Sequence, residues 1–503
     1  MTNLSSALLM PAQPTSNTMS VMRSKPDTDD LPVLIVGAGP AGLTAAVTLA
    51  RHGVASLLVE RRRDLSALPR ATSLSTRTME LLRSWGLERE VRAGGVDVVM
   101  RMWQSETLAR VSEGAVLPGG FPTGAQSALV SPTAAACVPQ DRLEPVLLRH
   151  LRSLGASRVQ FGSEVIHTTA SADGVHAEIR DVGTGGRRAV HARYLIGADG
   201  AHSSVRSALG IRMRGPSELR DAVSTLFRAS LWQLLDEHRY CLYTVSQPDH
   251  RGIFLPAGPG DRWLYGLMLD PGERPAGFTE DVLIERIRSG AGVTDLRLRI
   301  ERIGRFSFAA QVADTFRSDS AFLVGDAAHR ATPRGATGLN TAIHDGYDLG
   351  WKLAWVLNGW APTNLLHTYE TERRPVAEHN VQWSANPNAS QRPPEDPLAV
   401  DLGGRIPHVW LPSGRVSTLD LLGHGLTAFT GPNRRAAVPR TGPTPLIERR
   451  LDAITARALG IPTDGTLLVR PDGRPAALIP GAASAAANSI PSLRAGGLRS
   501  RAA

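Results

Sequence analysis

Of everything in this 503-residue chain, the segment Gly37-Ala38-Gly39-Pro40-Ala41-Gly42 most constrains what it can fold into. It lies between an apolar run, Pro32 to Val36, and a helix-period stretch that continues to His52, with a second apolar run, Ser56 to Glu60, beyond. Strand, glycine turn, helix and strand in that order make a βαβ unit, which calls for a parallel sheet covered by helices. Gly37 permits the tight turn, Gly39 lets the backbone approach a ligand, and Gly42 allows close helix packing. Two later segments share this character: Gly197-Ala198-Asp199-Gly200, and Gly325-Asp326 running on to Gly338-Leu339-Asn340.

At a strand-to-helix turn the free amides and the helix dipole favour an anion, and the glycine spacing suits the pyrophosphate of a dinucleotide. Glu60 ends the second strand, 18 residues beyond Gly42. A carboxylate there accepts hydrogen bonds from adenosine ribose hydroxyls and repels a 2′-phosphate, so the tightly held nucleotide is not expected to be NADP. Asp326 follows a buried apolar strand, at the strand end where open α/β sheets bind ligands, and is placed to accept from a ribityl hydroxyl. A Gly-Asp pair alone reads equally as an ordinary turn. The loop Pro333 to Gly338, free of bulky apolar side chains, and the helix that begins at Leu339-Asn340 give it weight, because a helix N-terminus there would stabilise an anionic reduced flavin ring. Only one complete glycine fingerprint is present, so a nicotinamide cofactor, if used, lacks a Rossmann domain of its own.

Composition excludes several alternatives. Apolar residues at 42% and charged residues at 20% are ordinary soluble-protein values. No run approaches the roughly 18 apolar residues of a spanning helix, so no membrane span is expected. The net charge of +9 comes almost wholly from dispersed arginines, the lysines being Lys25 and Lys352, and scattered Arg carries no nucleic-acid footprint. Cys137 and Cys241 fit neither a disulfide framework nor a zinc pattern, which points to a reducing compartment and a cytoplasmic location, with no metal. The apolar patch Ala7 to Met10 is too short for a signal-peptide core.

Along the chain, helices are expected over 73 to 85, Gln140 to Arg152 and Leu339 to Leu357, and a strand over Val175 to Arg180. Residues 94 to 136 lose periodicity and read as loops over a cleft. Aromatic strand-like runs between 216 and 308, with Tyr240, Tyr243, Trp263 and Tyr265, suggest a separate sheet whose aromatics serve its core more than a ligand.

Taken together, the glycine fingerprint, Glu60-Arg61, Pro69-Arg70-Ala71, Gln140 to Glu144, Gly197 to Arg206, Gly325 to His329, Pro333 to Asn340 and Gly350 to Ala354 resemble the FAD-dependent aromatic hydroxylases. These are single-component flavoprotein monooxygenases with the p-hydroxybenzoate hydroxylase fold, and the likeness is to the phenol-hydroxylase and antibiotic-tailoring branch. It implies an α/β, Rossmann-type FAD-binding domain with an inserted β-sheet substrate domain and a small thioredoxin-like C-terminal extension. The implied map is a disordered tail over 1–30, the FAD-binding domain over 31–93, 137–215 and 309–390, and the substrate domain over 94–136 and 216–308. The thioredoxin-like module covers 395–480, and 481–503 form a second disordered tail. Within that module the strand-like Thr466 to Arg470 fits the family, whereas Pro475 to Gly481 departs from it. The module has no cysteine and does no thiol redox work.

The resemblance carries site roles by position. FAD-binding residues would be Gly37, Gly39, Ala41, Gly42, Glu60, Arg61, Arg70, Gln140, Asp199, Gly325, Asp326, Pro333, Gly338, Leu339 and Asn340. Arg70 and Gln140 would contact the ribityl and pyrophosphate region, and Asp199 would serve both FAD and transiently bound NADH or NADPH. Pro333 would lie near the reactive edge, with the Leu339 and Asn340 backbone near the pyrimidine end. His329 is expected as a packed, hydrogen-bonded side chain. Arg334 stands where the family commonly has a small or apolar residue and reaches either substrate or solvent. No catalytic base is identified.

The implied activity is NAD(P)H- and O2-consuming hydroxylation of a phenolic or polycyclic aromatic secondary metabolite through a flavin C4a-hydroperoxide. Two alternatives stay open at this point: Baeyer-Villiger oxygen insertion on the same fold, and a flavin-binding scaffold that does not oxygenate. A halogenase is disfavoured by the absence of a Trp-x-Trp-x-Ile-Pro motif and of an evident catalytic lysine. Whether the chain forms a homodimer is also open.

Overall fold

The computed structural model describes residues 30–246, 251–270, 272–391, 401–435, 437–438 and 442–481. The expected disordered tails lie outside the described residues, apart from Asp30 and Gly481 at their edges.

The apolar runs of the N-terminal unit form the centre of an eight-stranded sheet. Its parallel core runs Ala321–Leu323, Arg187–Gly197, Asp30–Val36, Ser56–Glu60 and Ser157–Phe161, with Val33, Leu34 and Ile35 in register with Tyr194, Leu195 and Ile196 on one side and with Ser56, Leu57 and Leu58 on the other. At the centre of the sheet Val33, Leu34, Ile35, Val36, Leu57, Leu58, Val59, Leu195 and Ile196 are buried apolar residues in unbroken runs, as a parallel sheet covered on both faces requires. The fingerprint helix Pro40–Arg51 packs across the 20-residue helix Gly338–Leu357. Small residues make that crossing: a Cβ on Gly346 would stand 2.3 Å from the Ala41 carbonyl oxygen, and one on Gly350 2.8 Å from the Thr48 Cβ.

A seven-stranded sheet runs Arg299–Phe308, Arg220–Arg228, Arg262–Met268, Gly252–Pro256, Tyr240–Val245, Val99–Ser105 and Ala115–Leu117. One face buries Trp103, Phe227, Tyr243, Phe254, Trp263 and Tyr265 against the helix Glu280–Ala291, so these aromatics form the sheet's own core. Tyr240 is half-buried beside them. The opposite face meets the segments around Ala336 and Leu68, with Met100 and Cys241 near the former and Leu226 and Leu264 near the latter.

Local structure departs from the sequence reading in three places. The segment 94–136 is not only loops, because Val99–Ser105 joins the seven-stranded sheet in parallel with Tyr240–Val245, burying Met100, Met102 and Trp103. Residues 73–85 divide into a short strand, Ser73–Leu74, and a helix, Thr76–Ser84, because the Ser75 hydroxyl caps the Thr78 amide. Pro475–Ile479 forms a strand antiparallel to Thr466–Val469, with proline at its first position, where its missing N–H costs least.

The C-terminal module is a four-stranded sheet, Leu446–Arg450, Leu426–Thr430, Thr466–Val469 and Pro475–Ile479, with a small core including Phe429, Leu467 and Val469. Ion pairs fasten it to the rest. Arg405 meets Glu80 at 2.7 Å, Arg83 meets Asp420 at 2.9 Å, and Arg470 meets Glu372 at 2.7 Å. No helix among the described residues is long and apolar enough to cross a membrane.

Candidate active site

The site begins as backbone. Gly37 takes φ +108°, and a Cβ there would lie 2.4 Å from the Ala198 carbonyl oxygen, so the turn and the Gly197–Gly200 segment press directly together. A Cβ on Gly42 would meet the Gly37 carbonyl oxygen at 2.0 Å. Gly39, by contrast, has open space within 4 Å of its missing Cβ and is the N-cap of Pro40–Arg51, which no side chain caps. An uncapped helix N-terminus with free amides facing open space fits an anionic group such as a pyrophosphate.

Glu60 stands beside this turn. One carboxylate oxygen accepts from the Ala38 amide at 2.9 Å and the other from the Arg62 amide at 2.9 Å. A carboxylate has about four acceptor sites, so two remain for a ligand's hydroxyls. Arg61 is exposed. Asp199 turns its carboxylate to its own loop, accepting from Ser203 Oγ at 2.5 Å, Ser204 Oγ at 3.1 Å and the Val205 amide at 3.0 Å, which fixes the backbone that abuts Gly37.

Gly325 joins the cluster, since a Cβ on it would stand 3.2 Å from that of Ala41 and 3.0 Å from that of Ala342. Its amide donates to Asp345 at 3.1 Å, and the same buried carboxylate meets the His329 ring at 2.5 Å and Arg373 Nε at 2.8 Å. Burial opposes the Asp345 charge, but His329 and Arg373 outweigh it and hold the carboxyl below its ordinary value. His329 is therefore a packed member of the network that sets the Gly325 turn. Asp326, one residue on, is exposed.

The loop Pro333–Gly338 leads into the helix Gly338–Leu357, whose N-cap Thr337 provides no side-chain cap and keeps a buried hydroxyl without a partner among the described residues. Pro333 is exposed, and Ala336 takes φ +51°, a strained value for a residue with a Cβ. The Asn340 side chain is fully engaged: Oδ1 accepts from the Ser75 amide and Thr78 Oγ1, both at 2.8 Å, and Nδ2 donates to the Ser73 and Ala336 carbonyls. Only its backbone and that of Leu339 are left to face a ligand.

Arg70 and Gln140 come together because the Gln140 amide donates to the Ala71 carbonyl at 2.9 Å. Gln140 Nε2 donates to Glu144 at 2.6 Å, a carboxyl that is 2% exposed. Burial pushes Glu144 up to about 7, against the opposing pull of Gln140, Arg70 and Arg62. Sequence reasoning missed Glu144 and Asp345 as supporting groups. Glu144 lay inside the quoted Gln140 segment, four residues from its partner, so helical spacing was an available signal.

The two cysteines, distant in sequence, meet in one buried cluster with Met100 and Phe121. Burial raises both thiols, Cys241 to about 12, so neither is a nucleophile.

A family profile described as an FAD binding domain matches residues 30–384. The tetracenomycin A2 monooxygenase-dioxygenase of Streptomyces glaucescens is 34% identical over 523 residues, covering 89% of this chain and 93% of that protein. The aklavinone 12-hydroxylase of Streptomyces peucetius is 38% identical over 370 residues, covering 72% and 74%. Among solved structures, a ternary complex of aklavinone-11 hydroxylase with FAD and aklavinone superposes with a TM-score of 0.79 at 31% identity, covering 90% of this chain and 96% of that one.

Proposed function

The chain belongs to the FAD-dependent aromatic hydroxylase family, and from that premise we propose that it hydroxylates a phenolic or polycyclic aromatic substrate, consuming O2 and NADH or NADPH. The observation that carries the reading is the pair of helix N-termini, at Pro40 and Gly338, neither with a side-chain cap, beside close backbone approaches at Gly37 and Gly42, where a Cβ would collide, and at Gly325, where it would stand 3.0 Å from that of Ala342.

In this reading Gly37, Gly39, Ala41 and Gly42 cradle the pyrophosphate of FAD, the spare acceptor sites of Glu60 hold the adenosine ribose, and Arg61 lies beside the adenosine. Arg70 and Gln140 steady the ribityl and pyrophosphate region, with Asp326 accepting from a ribityl hydroxyl. Asp199 holds the backbone that closes the turn at Gly37. Gly338, Leu339 and the Asn340 backbone present amide dipoles to the pyrimidine end, and Pro333 borders the reacting edge. Once bound and reduced by the nicotinamide, the flavin supplies activated oxygen, while the protein orients the substrate and excludes water.

The C-terminal module is thioredoxin-like in this reading. Its strand order, with one parallel and two antiparallel pairings, supports that assignment.

Anaerobic reduction of the purified yellow protein with NADH or NADPH, over a panel of polycyclic phenols and quinones, followed by 18O2, tests the function. One labelled oxygen in a ring-retained product is expected. A lactone would replace hydroxylation by Baeyer-Villiger insertion, and a protein that takes up no FAD would overturn the reading.

A further inference from the structure

Resting on that hydroxylase reading, we propose that Arg334 determines specificity by binding an ionised acidic oxygen on a planar aromatic substrate. The residue follows Pro333 in the loop that leads to the helix Gly338–Leu357. The loop's course is pinned, because the Arg334 amide donates to Thr332 Oγ1 at 3.4 Å and the Gly335 amide to Ser390 Oγ at 3.3 Å.

From there the side chain leaves the loop and crosses to the seven-stranded sheet. Its guanidinium carbon stands 5.4 Å from the centre of the Phe308 ring, and Nη2 reaches Met268 Sδ at 3.7 Å. No carboxylate among the described residues pairs with it. Two arginines nearby differ in this respect: Arg373, beside the same loop, meets Asp345 at 2.8 Å, and Arg220 approaches Asp270 at 3.8 Å. Partial burial and the nearby Arg220 both work against the Arg334 charge, and an incoming anion would relieve both.

The surroundings are apolar and open. Ala222 pairs across the sheet with both Met268 and Phe306, which places those two side chains on one row, 44% and 43% exposed. Phe306 stacks on Phe308 with ring centres 5.7 Å apart and 25° between planes. Leu219, 42% exposed, donates its amide to the Phe308 carbonyl at the same edge. An exposed ring, Phe306, and the Met268 thioether beside a cation without a counter-charge complement a flat aromatic that bears an anion. Seated on the Phe308 face, the guanidinium keeps its planar fork oriented, so little rotamer freedom is lost when an oxyanion binds.

A tether that merely staples the loop to the sheet would use the same contacts, and charge discrimination separates the two roles. The FAD-loaded protein is titrated with anthraquinone-2-carboxylate and with the uncharged 2-carboxamide, binding being read from the visible flavin spectrum. The wild type is expected to favour the acid by ~tenfold or more, a preference that Arg334→Gln removes by weakening the acid alone and Arg334→Lys keeps in part. Equal affinity in the wild type, equal weakening of both probes by Arg334→Gln, or no binding of the acid overturns the assignment alone. A protein whose spectrum shows no FAD overturns the hydroxylase reading and this assignment with it.

Discussion

The helix Gly338–Leu357 meets two of its neighbours by opposite means. Toward the glycine turn it offers absences: Gly346 and Gly350 let the backbone of Pro40–Arg51 come so near that a single methyl group would collide. Toward the C-terminal module it offers charge. Lys352, fully buried, meets Asp348 at 2.7 Å and Glu372 at 3.2 Å, and Glu372 in turn binds Arg470. Steric fit tolerates almost no substitution but needs no partner to be ionised, whereas a buried charge network tolerates changes of shape and fails when one member is lost. Three carboxylates, Asp348, Glu372 and Asp472, approach one another there, and Lys352 and Arg470 occupy the space that a cation would take.

The steric side should break hardest. Gly42→Ala forces a Cβ to 2.0 Å from a backbone oxygen that cannot move away, and a loss of about 4 kcal/mol together with loss of bound FAD is expected in denaturant melts. Next comes Lys352→Met, which strands the buried Asp348 carboxylate, leaves Glu372 to its arginine partners, and should cost about 3 kcal/mol. Adding Asp348→Asn should return part of that loss if the network is held by charge, and none if the lysine stem alone matters.

Glu144→Gln should act in the other direction. Because the folded carboxyl is raised to about 7, its favourable contribution is complete below the unfolded value near 4.3 and is lost as pH rises toward 7. The substitution should therefore raise the melting temperature of the FAD-free protein at pH 8, by about 2 kcal/mol of stability, and leave it unchanged near pH 4. A gain that is the same at both pH values would remove the electrostatic explanation. The smallest effect is expected at Gly39, whose φ of −76° and open surroundings accept a methyl group. Gly39→Ala should leave the melting curve of the FAD-free protein within about 0.5 kcal/mol while weakening FAD by about tenfold. Unaltered FAD affinity would place the pyrophosphate elsewhere.

The two sides of the helix also differ in how far they could be read from the amino-acid order. The glycine turn is local: six consecutive residues between two apolar runs carry both its shape and its ligand chemistry. The Asp348–Lys352 pair was visible as an i, i+4 spacing, but Glu372 and Arg470 are 98 positions apart and nothing in either segment names the other. The strand Val99–Ser105 escaped for a related reason. Its parallel partner Tyr240–Val245 lies far along the chain, and adjacent Met102 and Trp103 are both buried, so alternation fails. Asp199 stood out in the amino-acid order, yet the hydrogen bonds that hold its carboxylate to Ser203, Ser204 and Val205 required the fold of its own loop. Arg334 was legible as an oddity and acquired a role only when Phe308 and Met268 were brought beside it.

The anchoring of the C-terminal module bears on where this protein can be divided. The family match ends at residue 384, and every glycine of the groove lies before that point. A chain cut there would keep the whole groove but lose Arg470 from Glu372, Arg405 from Glu80 and the Pro471 carbonyl from the Tyr347 hydroxyl, baring the polar flank of the central helix to water. The smallest piece that contains the cofactor groove is thus shorter than the smallest piece able to stand by itself. Subcloning at the end of the family match is expected to yield a fragment that keeps the glycine segments and lacks the contacts that cover this flank.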